Sequence, residues 1–157
     1  MPALTAKMVK PESVPTGYAW RRQLEGASAH ALGRHPDQIV LVYTLGWTQE
    51  DWSWPLVVAA APAGAPPLLG TEHRRGRHVY LGIPGVRAVY HNGIWVLGPG
   101  PDEQSFGAGV IHWDSSTVHS LTVRHSDVTW AVRGPKTRGA DFDVLVRMAR
   151  STGALGS

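Results

Sequence analysis

IVLVYTLGWTQEDWSWPLVVAA, residues 39–60, decides the fold because its apolar residues match when the chain is folded back on itself. With residues 48–51 as a loop, one face carries these opposed apolar or aromatic pairs: Ile39 with Ala60, Leu41 with Val58, Tyr43 with Leu56, Leu45 with Trp54, and Trp47 with Trp52. The alternate face is smaller and more polar. Such alternation is typical of an antiparallel ribbon that buries one face. The stretch therefore predicts a β-hairpin with all three tryptophans on its packed face.

A second hairpin is predicted over residues 86–98. Its centre is Asn92-Gly93, the dipeptide that best adopts the two positive φ values of a type I′ turn. This turn would place Tyr90 opposite Trp95. Both faces of the ribbon carry apolar residues, which indicates a position in the middle of the sheet. Shorter strands are expected at residues 78–82 and 110–113.

Residues 117–133 predict a third hairpin with Ser126-Asp127 at its tip. Its register places Val123 opposite Trp130 and Leu121 opposite Val132. Polar residues alternate with these apolar ones, so the other side of the ribbon is expected to face water.

A C-terminal helix is predicted after Asp141, a residue type that caps helix N-termini. Phe142, Leu145, Val146 and Ala149 follow at the i, i+3, i+4, i+7 spacing of a helix with one apolar face. Such a helix would cover the apolar side of the sheet.

The predicted fold class is α+β: a curved, mainly antiparallel sheet built from three hairpins, with the C-terminal helix packed on one face. Residues 1–17, which contain three prolines, are expected to form an extended N-terminal arm. Residues 18–157 then form a single domain, within which residues 18–32 fit either a helix or a strand.

Composition excludes several classes of function. The chain of 157 residues has no cysteine, which rules out a disulfide framework, a thiolate nucleophile and Cys-ligated zinc. A formal charge of +3 is modest and argues against a nucleic-acid binder. No apolar run is long enough to cross a membrane, and residues 1–10 lack the apolar region of a signal peptide. The protein is therefore expected to be cytosolic, or its numbering begins after an export segment.

One group of residues suggests chemistry. His112 and Asp114 would share a face of a strand, and His119 on the next strand would complete a three-ligand metal site. Ser115 adds the residue type needed for a small hydrolase. No HExxH or GxSxG motif accompanies them, so no catalytic residue and no cofactor is assigned.

Two surface groups are candidates for partner binding. One is the group of tryptophans at the tip of the first hairpin. Their side chains either are buried in the core or form an exposed contact surface. The other is a basic loop, which as a nucleic-acid site would predict binding that weakens steeply with salt. The candidate residues are Trp47, Trp52, Trp54, His73, Arg74, Arg75 and Arg77.

Short phrases give the chain a family resemblance. It opens with Val14-Pro15-Thr16-Gly17-Tyr18, has a Val-Leu-Val-Tyr strand at residues 40–43, a strand at residues 128–134 ending in glycine, and a closing helix with Arg147-Met148-Ala149-Arg150-Ser151. This layout resembles small extracytoplasmic domains of bacterial lipoproteins, anti-sigma factors and envelope regulators.

The resemblance implies a β-rich, non-catalytic domain outside the cytoplasmic membrane. Such a domain would be anchored through a preceding N-terminal segment and would bind a protein or small ligand of the cell envelope. The alternative from the residues alone is a small hydrolase or metal-dependent enzyme at residues 112–119. A cytoplasmic location also stays open.

Overall fold

The computed structural model describes residues 4–25, 37–64, 70–71, 74–98 and 110–152. In chain order the helices are α1 (Ala6–Val9), α2 (Gln49–Ser53) and α3 (Phe142–Ser151). The strands are β1 (Ala19–Glu25), β2 (Ile39–Thr44), β3 (Leu56–Pro62), β4 (Arg77–Val79), β5 (Val86–His91), β6 (Ile94–Gly98), β7 (Val110–Asp114), β8 (Val118–His125) and β9 (Val128–Pro135).

The described strands form two sheets. The larger sheet has seven strands in the order β1-β2-β3-β9-β8-β5-β4, and every described pairing within it is antiparallel. Strands β6 and β7 form a separate two-stranded ribbon. The predicted α+β class, a mainly antiparallel sheet with a C-terminal helix, is confirmed. No described helix has the length and apolar character needed to cross a membrane.

The first predicted hairpin is confirmed along its strands but not at its tip. Ile39 pairs with Ala60 and Tyr43 pairs with Leu56, as expected. The pairs predicted beyond Tyr43 are wrong, because α2 replaces the strand ends. Thr48 caps α2: its hydroxyl accepts from the Asp51 backbone N–H, and the Asp51 carboxylate accepts from the Thr48 backbone N–H. This reciprocal capping box starts a helix where hairpin pairing would otherwise continue.

The second predicted hairpin is wrong. Strand β5 lies between β8 and β4, so Tyr90 is opposite Leu121 and Arg77, whereas Trp95 pairs with Trp113 in the separate ribbon. Only Gly93 of the expected turn dipeptide has a positive φ, 134°. A Cβ at Gly93 would overlap the Asp114 carbonyl oxygen. Gly93 therefore lets the chain leave the main sheet in close contact with β7 instead of turning back along β5.

The third predicted hairpin is confirmed, with Val123 paired to Trp130 and Leu121 to Val132. The prediction that its other side faces water is wrong at the centre of the sheet. Ser120, Thr129 and Ala131 are each at most 2% exposed.

The main core lies between α3 and one face of the sheet, here called the helix face. Asp141 caps α3 as predicted, and its carboxylate accepts from the Val144 backbone N–H at 3.0 Å. Leu145 and Met148 from α3 are buried against Leu121 and Trp130 from the sheet. Burial of large apolar side chains on one sheet face provides most of the driving force for such a layer.

Part of the predicted N-terminal arm packs on this core. It includes α1, and Val9 is fully buried. The Trp130 indole N–H donates to the Val9 carbonyl at 2.9 Å, and the Thr152 hydroxyl donates to the Met8 carbonyl at 2.9 Å. These bonds tie the start of the described chain to β9 and to the end of α3. Residues 18–32 fit either a helix or a strand in the sequence; the structure shows strand β1 at Ala19–Glu25, and residues 26–32 lie outside the described residues.

The opposite side of the sheet is here called the second face. It has its own small cluster of buried residues on β2 and β3, with Leu24 and Trp52 packed against it. Side chains alternate along a strand. The sequence neighbours of a helix-face residue therefore point to the second face.

Candidate functional site

A cleft of about 540 Å³ lies where β5 ends and the chain leaves the main sheet. It is here called the arginine cleft. Its lining residues are Arg74, Arg75, Arg77, Tyr90, His91, Asn92, Trp113 and Ser115. Its volume is in the range of roughly 300–1,000 Å³ found for small-molecule sites.

A close backbone contact holds the arginine-bearing segment against β5. A Cβ at Gly76 would overlap Val89 and would lie 2.9 Å from the His91 ring. The His91 ring also bonds the Arg74 carbonyl through Nε2 at 2.9 Å, and because a carbonyl only accepts, Nε2–H is the donor. The glycine and the histidine together set the path of residues 74–77 along the edge of the sheet.

Aromatic rings position two of the arginines. The Arg74 guanidinium carbon lies 4.5 Å from the centre of the Trp113 ring and 5.7 Å from that of Trp95. The Arg77 guanidinium carbon lies 5.2 Å from the ring centres of both Tyr90 and Phe142. Both arginines are within the distance at which a cation is attracted to the face of an aromatic ring.

The cleft carries positive charge that no carboxylate of the described residues pairs with. Within the described ranges, Arg74, Arg75 and Arg77 form no ion pair; the pair that does form there joins Arg138 and Asp51 at 2.5 Å. Lys136 adds a further positive charge next to the cleft, where its ammonium donates to the Ser115 carbonyl at 2.6 Å. Clustered cations of this kind attract an anion from solution.

A buried hydrogen-bond chain supports the cleft from the helix face. Nε2–H of His119 donates to the Ala140 carbonyl, so Nδ1 is the acceptor and the Tyr90 hydroxyl donates to it at 2.8 Å. Burial lowers the pKa of His119 below its ordinary value. Burial also raises the pKa of Tyr90, an effect that the nearby Arg77 opposes. The chain therefore holds a neutral histidine and a protonated tyrosine.

The predicted metal ligands His112, Asp114 and His119 are not brought together. His119 uses both ring nitrogens on Tyr90 and Ala140. Across the described ranges, no group of three or more His, Asp or Glu side chains could hold a metal ion. The physical reason is that the ribbon carrying His112 and Asp114 leaves the main sheet, in which His119 faces α3.

The residues suggested for a hydrolase form a turn. One Asp114 carboxylate oxygen accepts from the Ser116 backbone N–H at 2.8 Å and from its hydroxyl at 2.5 Å. These bonds hold the pKa of Asp114 below its ordinary value. No serine hydroxyl bonds a histidine ring in the part of the chain that the structure describes, so the Ser–His pair needed to activate a nucleophile is not formed there.

The predicted aromatic group lies elsewhere on the molecule. Trp47 is 72% exposed, so its predicted position on a packed face is wrong. The Arg21 guanidinium carbon lies 4.0 Å from its ring centre, and the Trp52 ring lies 5.8 Å away. Trp52 packs against the second face, and Trp54 is half-buried.

The two predicted binding groups therefore do not form one surface. The tryptophans lie near the β1–β2 edge of the main sheet, and the arginines lie at its β4–β5 edge. His73 falls outside the described residues. The cleft also contains His91, Asn92 and Trp113, which could not be recognised from the sequence because they become neighbours of the arginines only through the path that the chain takes after β5.

No protein-family model, curated protein or solved structure matches this chain. The resemblance to extracytoplasmic bacterial domains therefore stays a prediction. The geometry of the molecule itself carries the functional argument.

Proposed function

We propose that this protein is a non-catalytic binding domain whose arginine cleft holds a small ligand with acidic groups. The observation that carries the proposal is a set of three guanidinium groups around one cleft with no carboxylate partner in the described part of the chain. A bound carboxylate or phosphate would provide the missing negative charge.

The stacking of Arg74 and Arg77 on aromatic rings favours an acidic ligand over a purely aromatic one. A ring face covered by a guanidinium is less available to a ligand, whereas N–H groups at the edge of a guanidinium can still donate to one. Guanidinium N–H groups match a carboxylate or phosphate in a bidentate arrangement. Stacking also restricts the two side chains before binding, which lowers the entropy lost when a ligand binds.

The size of the charged region favours a small ligand over a nucleic acid. The arginines are clustered at one cleft, and the whole chain carries a formal charge of only +3. A nucleic-acid surface typically presents a longer basic stripe. The bound ligand is therefore proposed to be of the size of the cleft and to carry more than one acidic group.

Location outside the cytoplasmic membrane is a separate part of the proposal. It is supported only by the resemblance of short sequence stretches to extracytoplasmic bacterial domains. Its test is fractionation of cells that express the full-length gene product with a C-terminal tag. Recovery in the membrane or extracytoplasmic fraction would support this part, and recovery only in the cytoplasm would contradict it. Neither result changes the prediction for the cleft.

Isothermal titration with citrate tests the binding function, because citrate offers three carboxylates to three arginines. Arg77→Gln is expected to weaken citrate binding about tenfold or more, since a hydrogen bond to a charged group contributes about 1.5–3 kcal/mol. Trimethyl citrate, which is similar in shape but uncharged, should not bind.

The matched control is Arg147→Gln, which removes an exposed arginine from α3 and should bind citrate as the wild type does. Equal weakening in both variants would mean that binding follows net charge and not the cleft. Saturable binding of trimethyl citrate, or no citrate binding at low salt, would contradict the proposed ligand class.

A further inference from the structure

A second pair of arginines lies away from the arginine cleft. Arg87 on β5 and Arg124 on β8 are directly opposite each other in the antiparallel ladder, and both are exposed. Their sequence neighbours Ala88 and Val123 are buried in the helix-face core. The two arginines therefore share the second face.

This arrangement is unfavourable for the protein alone. Like charges directly opposite on neighbouring strands repel each other and destabilise the pair. Within the described ranges neither arginine forms an ion pair, although Asp127 lies in the adjacent turn. The repulsion is therefore not offset by a carboxylate of the described chain.

The local backbone shapes the space around this pair into a pocket. It has a volume of about 170 Å³ and is lined by Gly85, Arg87, Arg124 and Ser126. Two of the lining residues have a left-handed backbone conformation: Gly85 has a φ of 76° and Ser126 a φ of 50°. A serine rarely adopts this conformation, which shows that the tight turn beside Arg124 is held by the surrounding structure.

A buried hydroxyl lies next to the pair. Thr129 pairs with Arg124 on the side of β8 away from Arg87, and it is 2% exposed. Its hydroxyl oxygen has no hydrogen-bond partner within the described part of the chain. Thr129 does not line the pocket, however, so its hydroxyl is not assigned to a group bound there.

We propose that Arg87 and Arg124 form a second anion-binding site, which takes a phosphate-type or sulfate-type oxyanion group. Two guanidinium groups on one face can hold a tetrahedral oxyanion between them, and the bound charge turns their repulsion into attraction. The pocket volume suits one such group and not a larger molecule. The proposal does not depend on the arginine cleft, because Arg87 is four residues, about 13 Å along a strand, from the cleft residue His91.

Inorganic phosphate is the probe for this site. We expect its titration into ¹⁵N-labelled protein at low salt to shift the amide signals of Gly85 and Ser126 in a saturable way. Arg124→Gln is expected to weaken the binding at least about tenfold, because one of two charged hydrogen-bonding groups is lost. Arg75→Gln, which alters only the arginine cleft, should leave these shifts and their midpoint unchanged.

Thermal unfolding gives a second, independent readout. Without phosphate, Arg124→Gln should melt at the same or a higher temperature than the wild type, because it removes the repulsion. With phosphate, the wild type should gain more stability than the variant.

Three results would overturn the proposal. They are no saturable shift at Gly85 and Ser126, an unchanged midpoint in Arg124→Gln, or loss of these shifts in Arg75→Gln. The last result would place phosphate in the arginine cleft instead. Failure of citrate to bind the arginine cleft would not change the results expected for phosphate at Arg87 and Arg124.

Discussion

At the scale of single residues, burial favours the neutral form of His119. A proton on Nδ1 would reverse the bond, so that the Tyr90 hydroxyl accepts, and would place a charged ring in the interior. Burial accordingly places the pKa of His119 below the ordinary value of 6.5, against the opposing effect of the Ala140 carbonyl. The histidine is part of the support for the arginine cleft, because the same tyrosine packs under Arg77.

The first prediction concerns acid stability. Because the pKa of His119 is lower in the folded protein, the unfolded chain binds more protons below about pH 6.5. The free energy of unfolding should therefore fall as the pH drops below 6.5, by at most about 1.4 kcal/mol per pH unit for one proton. Urea denaturation between pH 8 and pH 5 measures this slope.

His119→Gln should be less stable at pH 8 but lose less stability on acidification. The control is Thr122→Ser, at a half-buried position on β8, which removes no titratable group and should keep the slope of the wild type. Parallel pH profiles for the wild type and His119→Gln would show that another group causes the acid sensitivity.

At the scale of elements, the close approach of residues 74–77 to β5 makes the arginine cleft. Gly76 is the residue that permits it, since any side chain there would overlap Val89. The segment also carries the carbonyl that accepts from His91. Moving the segment by the width of a methyl group would therefore shift two arginines at once.

Gly76→Ala tests this dependence. We expect a loss of about 1–3 kcal/mol in stability from overpacking, together with weaker citrate binding. The control is Gly64→Ala, where a Cβ meets no atom within 4 Å and should change neither property. Unchanged citrate affinity in a folded Gly76→Ala protein would show that the path of this segment does not set the cleft.

Elements defined by local pattern could be predicted from the sequence. The register of Ile39 with Ala60, that of Val123 with Trp130, and the Asp141 cap all follow from alternation or from one capping residue. The tip of the first hairpin could not, because Thr48 and Asp51 form a capping box that competes with strand pairing. Periodicity alone does not show whether the capped helix or the continued strand pairing is more stable.

At the scale of the whole molecule, strand neighbours far apart in sequence decide where the candidate sites lie. β3 pairs with β9, and β5 pairs with β8, so β5 and β4 lie five and six positions from β1 in the sheet. An apolar strand can pair with many other strands. The strand order in the sheet therefore could not be predicted from the alternation of side chains. The separation of Trp47 from Arg74 and the assembly of the arginine cleft are both consequences of this order.

The measurement that most directly tests the arginine cleft is an NMR spectrum of the arginine side-chain Nε–H groups during a citrate titration. We expect saturable shifts of the Arg74, Arg75 and Arg77 signals, with those of Arg21 and Arg22 at the opposite edge unchanged. Shifts spread evenly over all arginines, or largest at Arg21 and Arg22, would contradict it.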